Sequence, residues 1–176
     1  IEFGTNESVM VTPISASAKT MQDLQAHLLV LYTGKTRSAS ALLQEQSIEL
    51  GRDLHKQQSM HRMVQLARDL KDELCANRMD ALGEILHEGW MLKKSLVQGI
   101  SAHEIDLWYD TARSAGALGG KILGAGAGGF LLLYAPPERH PAILQALPQL
   151  QPISVGFDFL GSQIIFNEKI AGNSQP

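Results

Sequence analysis

The chain has 176 residues, a formal net charge of -3, and 44 % hydrophobic against 19 % charged residues. About 100–200 residues make one domain, and this apolar content excludes a wholly disordered chain. With 15 Lys+Arg against 18 Asp+Glu and a pI near 6.1, there is no basic surplus to suggest nucleic acid as a partner.

The opening Ile1-Glu2-Phe3-Gly4-Thr5 reads as a cloning scar, since Glu-Phe and Gly-Thr are translations of common restriction sites. Residues 1–9 are therefore set apart as a scar or a disordered arm, and no basic segment followed by a long apolar run marks a signal peptide. Residues 10–17 lean towards β-structure, with Pro13 marking an edge strand or a bulge. The apolar run 27–33 stops at Gly34 and predicts a buried strand, with a short helix as the alternative. Ser38 is a good N-cap for a helix over 38–54. Residues 55–76 place Met60, Met63, Leu66, Leu70 and Leu74 at helical spacing. Cys75, the one cysteine, cannot form an internal disulfide, so a reducing cytoplasm is the expected compartment. Residues 79–98 repeat the helical pattern through Leu82, Leu86, Trp90 and Leu96, with Lys93 and Lys94 expected on a solvated face. Ser101-x-x-Glu104 is a capping box for a helix that should end near Gly116. Asp106 and Asp110 are spaced as a metal pair on that helix would be, or are simply exposed.

Seven of the 16 glycines then fall within 116–129. So many glycines allow positive φ and close backbone approach. The segment is either a loop facing a ligand, whose free N–H groups would suit an anion, or a tightly packed turn. An apolar run over 130–135 predicts a strand, far shorter than the roughly 20 residues that span a bilayer. Pro136-Pro137 ends it and starts a short helix over 138–147. Two strands follow, near 153–159 and 162–167, joined by a turn at Gly161. The tail 171–176 is expected to fray. Strands and helices are grouped rather than alternating. That predicts one α+β domain over 10–170, with helices on one face of a mostly antiparallel sheet.

Three phosphate motifs nearly match and are rejected. Gly124-x-Gly126-x-x-Gly129 fits the dinucleotide pattern, but a helix should precede it and a strand follow it, the reverse of the required context. Gly34-Lys35-Thr36 and Gly120-Lys121 lack the first P-loop glycine, replaced by Leu29 and Ala115. The junction around Thr33, Gly34, Lys35 and Arg37 joins a strand to a helix N-terminus. It is an anion site or an ordinary capped helix start with two solvated cations.

Taken together, several blocks resemble the C-terminal domain of the GHMP sugar and metabolite kinases, and within them the D-glycero-D-manno-heptose 7-phosphate kinase branch. They are Leu31-Tyr32-Thr33-Gly34-Lys35-Thr36-Arg37-Ser38-Ala39, Leu86-His87-Glu88-Gly89-Trp90-Met91-Leu92-Lys93-Lys94, Ile105-Asp106-Leu107-Trp108, and the glycine segment running into Phe130. Phe157-x-Phe159-x-Gly161-Ser162 followed by Ile164-Ile165 matches as well, so the resemblance covers about 10–167.

The resemblance implies a ferredoxin-like α+β domain that closes one side of a kinase cleft. It implies that Gly124, Ala125, Gly126, Ala127 and Gly128 form the loop lying against the nucleotide phosphates. Thr33, Gly34, Arg37 and Lys121 are the expected substrate- or phosphate-proximal residues. The family's Pro-x-x-x-Gly-Leu-Gly-Ser-Ser-Ala phosphate loop belongs to an N-terminal domain and has no counterpart here. The expectation is thus a truncated kinase half with no catalytic residue, metal or cofactor of its own, Mg and ATP belonging to the intact family. A sugar phosphate, an N-terminal kinase domain and a second copy in a homodimer are the expected partners; nucleic acid and membrane are not. A stand-alone binding or oligomerisation module on the same fold is the alternative.

Overall fold

The computed structural model describes residues 1–35, 53–96, 99–124, 128–158, 160–161 and 163–165. A small hairpin pairs β1 (Glu2–Phe3) with β2 (Val9–Met10). Helix α1 (Ala18–His27) runs directly into β3 (Leu28–Tyr32). The long helices α2 (Leu54–Cys75), α3 (Leu82–Leu96) and α4 (His103–Ser114) follow. The chain then forms β4 (Gly119–Leu123), β5 (Phe130–Tyr134), a 3-10 turn (Pro137–Arg139), α5 (His140–Ala146) and β6 (Gln151–Ile153).

The last four strands make one antiparallel sheet in the order β4-β5-β3-β6. Its register sets Leu29 opposite Leu133, and Leu31 and Ile122 opposite Leu131. Residues opposite one another share a face. Leu31, Ile122, Leu131 and Leu133 are wholly buried, in one core with Trp90, Ile105, Tyr109 and Ile143 from the helices. Leu28 and Tyr134, one residue out of phase, join a smaller cluster with Leu24, Leu74 and Leu82. The α+β class and the grouping of helices and strands are as the sequence predicts. No helix among the described residues is long and apolar enough to cross a membrane.

Five expectations are corrected. The strand over 10–17 shrinks to Val9–Met10, and residues beyond Pro13 lead to α1, a helix the pattern did not reveal. Ser17 caps it by accepting the Thr20 N–H at 3.0 Å, and Asn77 Oδ1 accepts from both the Ser17 N–H and the Thr20 hydroxyl at 2.7 Å. Apart from Thr20 no residue of α1 is fully buried. Ser101 is not a cap: Ala102 holds that position without a side-chain bond, while the Ser101 hydroxyl donates to Asp106. Residues 119–123 are a strand paired with β5, where loop was expected; its two glycines sit where an added Cβ would strike the backbone of α3 at Gly119 and of β5 at Gly120. The strand near 153–159 reduces to β6, an edge strand in which Pro152 has no N–H to give, and 154–158 and 163–165 form no strand. Lys93 and Lys94 are half-buried and bonded rather than solvated. Of the helix expected over 38–54, residues 38–52 lie outside the described residues, while Asp53 caps α2 and Leu54 opens it; residues 159, 162, 166 and 167 of the expected strands and the tail 171–176 also lie outside them.

Candidate functional site

The site is built at the sheet end where β3 leaves and β5 begins. The Thr33 N–H and hydroxyl both donate to the Gly129 carbonyl, at 3.0 and 2.8 Å. The Gly129 N–H returns a bond to the Lys35 carbonyl at 2.7 Å. A Cβ on Gly128 would lie 2.7 Å from that same carbonyl, so the two segments meet at a distance only glycine allows. The fold thus brings Thr33 and Gly34 together with Gly128, although they are far apart in sequence. Arg37, Ala125, Gly126 and Ala127 lie outside the described residues.

The structure divides the glycine segment into two. Gly119 and Gly120 belong to β4, and each added Cβ would strike backbone oxygen, at 2.0 and 2.3 Å. Gly124 stands at the strand's exit with φ +93° and open space around it. The dinucleotide pattern therefore has a strand on both sides, not a helix before it; with no helix following, it remains unsupported.

Two cations flank the loop. Lys121 projects from β4 into the lining of a cavity between α2 and α3. Lys93 lines it too, and its ammonium donates to the Gly124 carbonyl at 3.2 Å. Burial first, and then the neighbouring Lys121 charge, push the Lys93 pKa down. Sequence reading missed Lys93 because a lysine at the end of an amphipathic helix ordinarily points to water. Lys35 is tied to Glu104 by an ion pair and stands 5.9 Å from the centre of the Trp108 ring, so it does not reach freely into solvent. Lys94 pairs with Asp106 at 2.8 Å, which gives that carboxylate a structural partner. The described residues contain no group of three or more acidic, His or Cys side chains arranged to hold a metal.

Thr33 fixes the loop base, and Thr33→Val tests this without changing its shape. A neutral hydrogen bond contributes about 1 kcal/mol net. Urea unfolding is expected to show a loss of about that size, with faster exchange of the Gly129 amide. Unchanged exchange would mean that the backbone bonds alone hold the loop.

The four-stranded antiparallel sheet, with the glycine segment joining β4 to β5 and held against the exit of β3, belongs to a domain whose fold is shared with solved kinases. Residues 70–152 match the family model for GHMP kinases C terminal, and the chain carries a GHMP kinase C-terminal domain. Over 159 residues, 90 % of its length, it is 30 % identical to D-glycero-alpha-D-manno-heptose 7-phosphate kinase of Campylobacter jejuni. It spans 47 % of that relative, so less than half of the longer protein is represented. Its fold is similar to that of a D-glycero-D-manno-heptose 1-phosphate kinase from Bacteriodes thetaiotaomicron, with TM-score 0.55, 23 % identity, and coverage of 86 % of this chain and 39 % of that one. It is similar also to L. major mevalonate kinase in complex with R-mevalonate, with TM-score 0.62, 21 % identity, and coverage of 69 % and 37 %.

Proposed function

We propose that this domain is the substrate-side half of an ATP-dependent sugar-phosphate kinase of the heptose 7-phosphate type. The observation that carries this is the 30 % identity to the heptose 7-phosphate kinase across 90 % of the chain. In this reading Gly124, Ala125, Gly126, Ala127 and Gly128 lie against the nucleotide phosphates. Thr33, Gly34, Arg37 and Lys121 stand near the phosphorylated sugar. Mg and ATP are held by the phosphate loop of an N-terminal kinase domain. Phosphoryl transfer depends on positioning and charge stabilisation, so one wall of the cleft does not suffice.

Tyr32, Leu123 and Phe130 are partly exposed beside the glycine segment and form the surface that the N-terminal domain covers. Without it, two copies of the 176-residue chain pair through this surface as a two-fold dimer. The kinase-like domain is residues 10–170, and its setting is the cytoplasm, in keeping with a single free cysteine, Cys75.

The test uses the 176-residue chain with Mg-ATP and D-glycero-D-manno-heptose 7-phosphate. No ATP-dependent phosphorylation is expected, while the sugar phosphate shifts the amide resonances of Thr33, Gly34 and Lys121. Turnover by this chain alone would overturn the division of labour. Absence of any shift would instead favour a stand-alone structural module.

A further inference from the structure

The cavity between α2, α3 and β4 shares Lys121 with the kinase reading and otherwise has features which that reading does not use. It encloses about 140 Å³, and its walls include Met63, Leu66, Leu70 and Leu86. Trp90 also lines it, and the Trp90 indole N–H is buried with no hydrogen-bond partner among the described residues. That nitrogen is closed off from the cavity itself, so the indole reports on the cavity through its ring without bonding to what fills it. Gly89 stands in the middle of α3, where glycine is unfavourable relative to alanine. A Cβ there would meet only Leu66 Cδ1, at 3.8 Å, so the helix has room for a side chain and leaves the space open.

Charge completes the picture. Lys93 and Lys121 both line this cavity, and neither has a carboxylate within ion-pair distance among the described residues. Lys19, Lys35, Arg62, Arg78 and Lys94, by contrast, each have at least one. Glu88, next to the cavity glycine, is held by both arms of the Arg62 guanidinium at 2.6 and 2.9 Å and does not neutralise the lysines. Two like charges beside an apolar space are stabilised by an anion between them. A dry apolar cavity of about 150 Å³ holds one benzene molecule.

We propose that this cavity binds a small amphipathic anion, with an apolar body of about six carbons against α2 and α3 and its carboxylate or phosphate between Lys93 and Lys121. The anion competes with the Gly124 carbonyl for the Lys93 ammonium. Occupancy therefore loosens the start of the glycine segment and couples this site to it.

Benzoate and phenyl phosphate are the probes, titrated into the 176-residue chain while amide and indole resonances are followed. Benzyl alcohol and inorganic phosphate each supply half of the chemistry. Saturable shifts at Gly89, the Trp90 indole and Gly124 are expected with one or both anions, at least tenfold tighter than with either half-ligand. Lys93→Met and Lys121→Met should each weaken the anion about tenfold and leave benzyl alcohol unchanged. Gly89→Leu fills the space and should abolish both; if it fails to fold, the lysine variants decide. Benzoate and phenyl phosphate binding no tighter than benzyl alcohol, or as tightly to the lysine variants, overturns the proposal. The kinase reading is judged separately: a sugar phosphate that shifts Thr33 and Lys121 but not Gly89 or Trp90 supports that reading alone.

Discussion

Gly119→Ala is expected to cost about 3 kcal/mol of stability, the upper end of what overpacking usually costs. The added Cβ would lie 2.0 Å from the Gly83 carbonyl oxygen, 2.9 Å from its carbon and 3.0 Å from the His87 nitrogen. All three are backbone atoms of one helix, so no side chain can rotate away. Either α3 shifts as a body or β4 leaves its ladder. The contact is reciprocal, since a Cβ on Gly83 would lie 2.4 Å from the Leu118 Cβ. Such a loss is a large share of the 5–15 kcal/mol typical of a domain. Urea unfolding compares it with Gly124→Ala, which meets open space and bears only the strain of φ +93°, about 1–2 kcal/mol. Equal losses at the two sites would remove the distinction between packing glycines and loop glycines.

Alkaline pH should destabilise the protein through Tyr109. Burial raises its pKa from 10.0 to about 12, with the Arg113 charge opposing. Its hydroxyl shares a 2.7 Å hydrogen bond with His87 Nδ1, and the residue is 1 % exposed. Between pH 10 and about 12 the unfolded chain loses this proton before the folded one does. The contribution is therefore full below pH 10 and falls as pH rises towards 12, by at most about 1.4 kcal/mol per pH unit. Tyr134 shifts in the same direction, also through burial, and adds to the slope. Urea midpoints from pH 9 to 12 should fall steeply in the natural chain and less steeply in Tyr109→Phe. Parallel curves would assign the loss to other groups.

Legibility followed how strongly each element's own residues expressed its environment. Strand β3 and helices α2 and α3 could be read because their apolar spacing reports the faces they bury. Helix α1 is only ten residues long and places just Leu24 against the smaller cluster, too few turns for a repeating pattern to stand out beside the Ser17 cap. Strand β4 opens with two glycines, the residue type that strands least favour, and only tertiary contact explains them: Gly119 lies against the backbone of α3 and Gly120 against that of β5. The glycine segment was visible as special, but its division at about Leu123 was not. The bond between Thr33 and Gly129 needed the sheet order, which no local pattern encodes. The class of protein came from the assembled motifs rather than from any one of them.

The position of β3 has a consequence for how the chain folds. It lies between β5 and β6, yet of the four strands in its sheet it is made first, and the earliest of its ladder partners, Phe130, follows Tyr32 by 98 residues. At about 5–20 residues per second, that interval lasts roughly 5–20 s during synthesis. Throughout it, Leu28-Leu29-Val30-Leu31-Tyr32 exists as an apolar segment with both edges unsatisfied. Such a segment is the template on which chains stick to one another. Sheet closure has to wait for the C-terminal third, so folding is slow for a domain of this size and sensitive to crowding by its own copies.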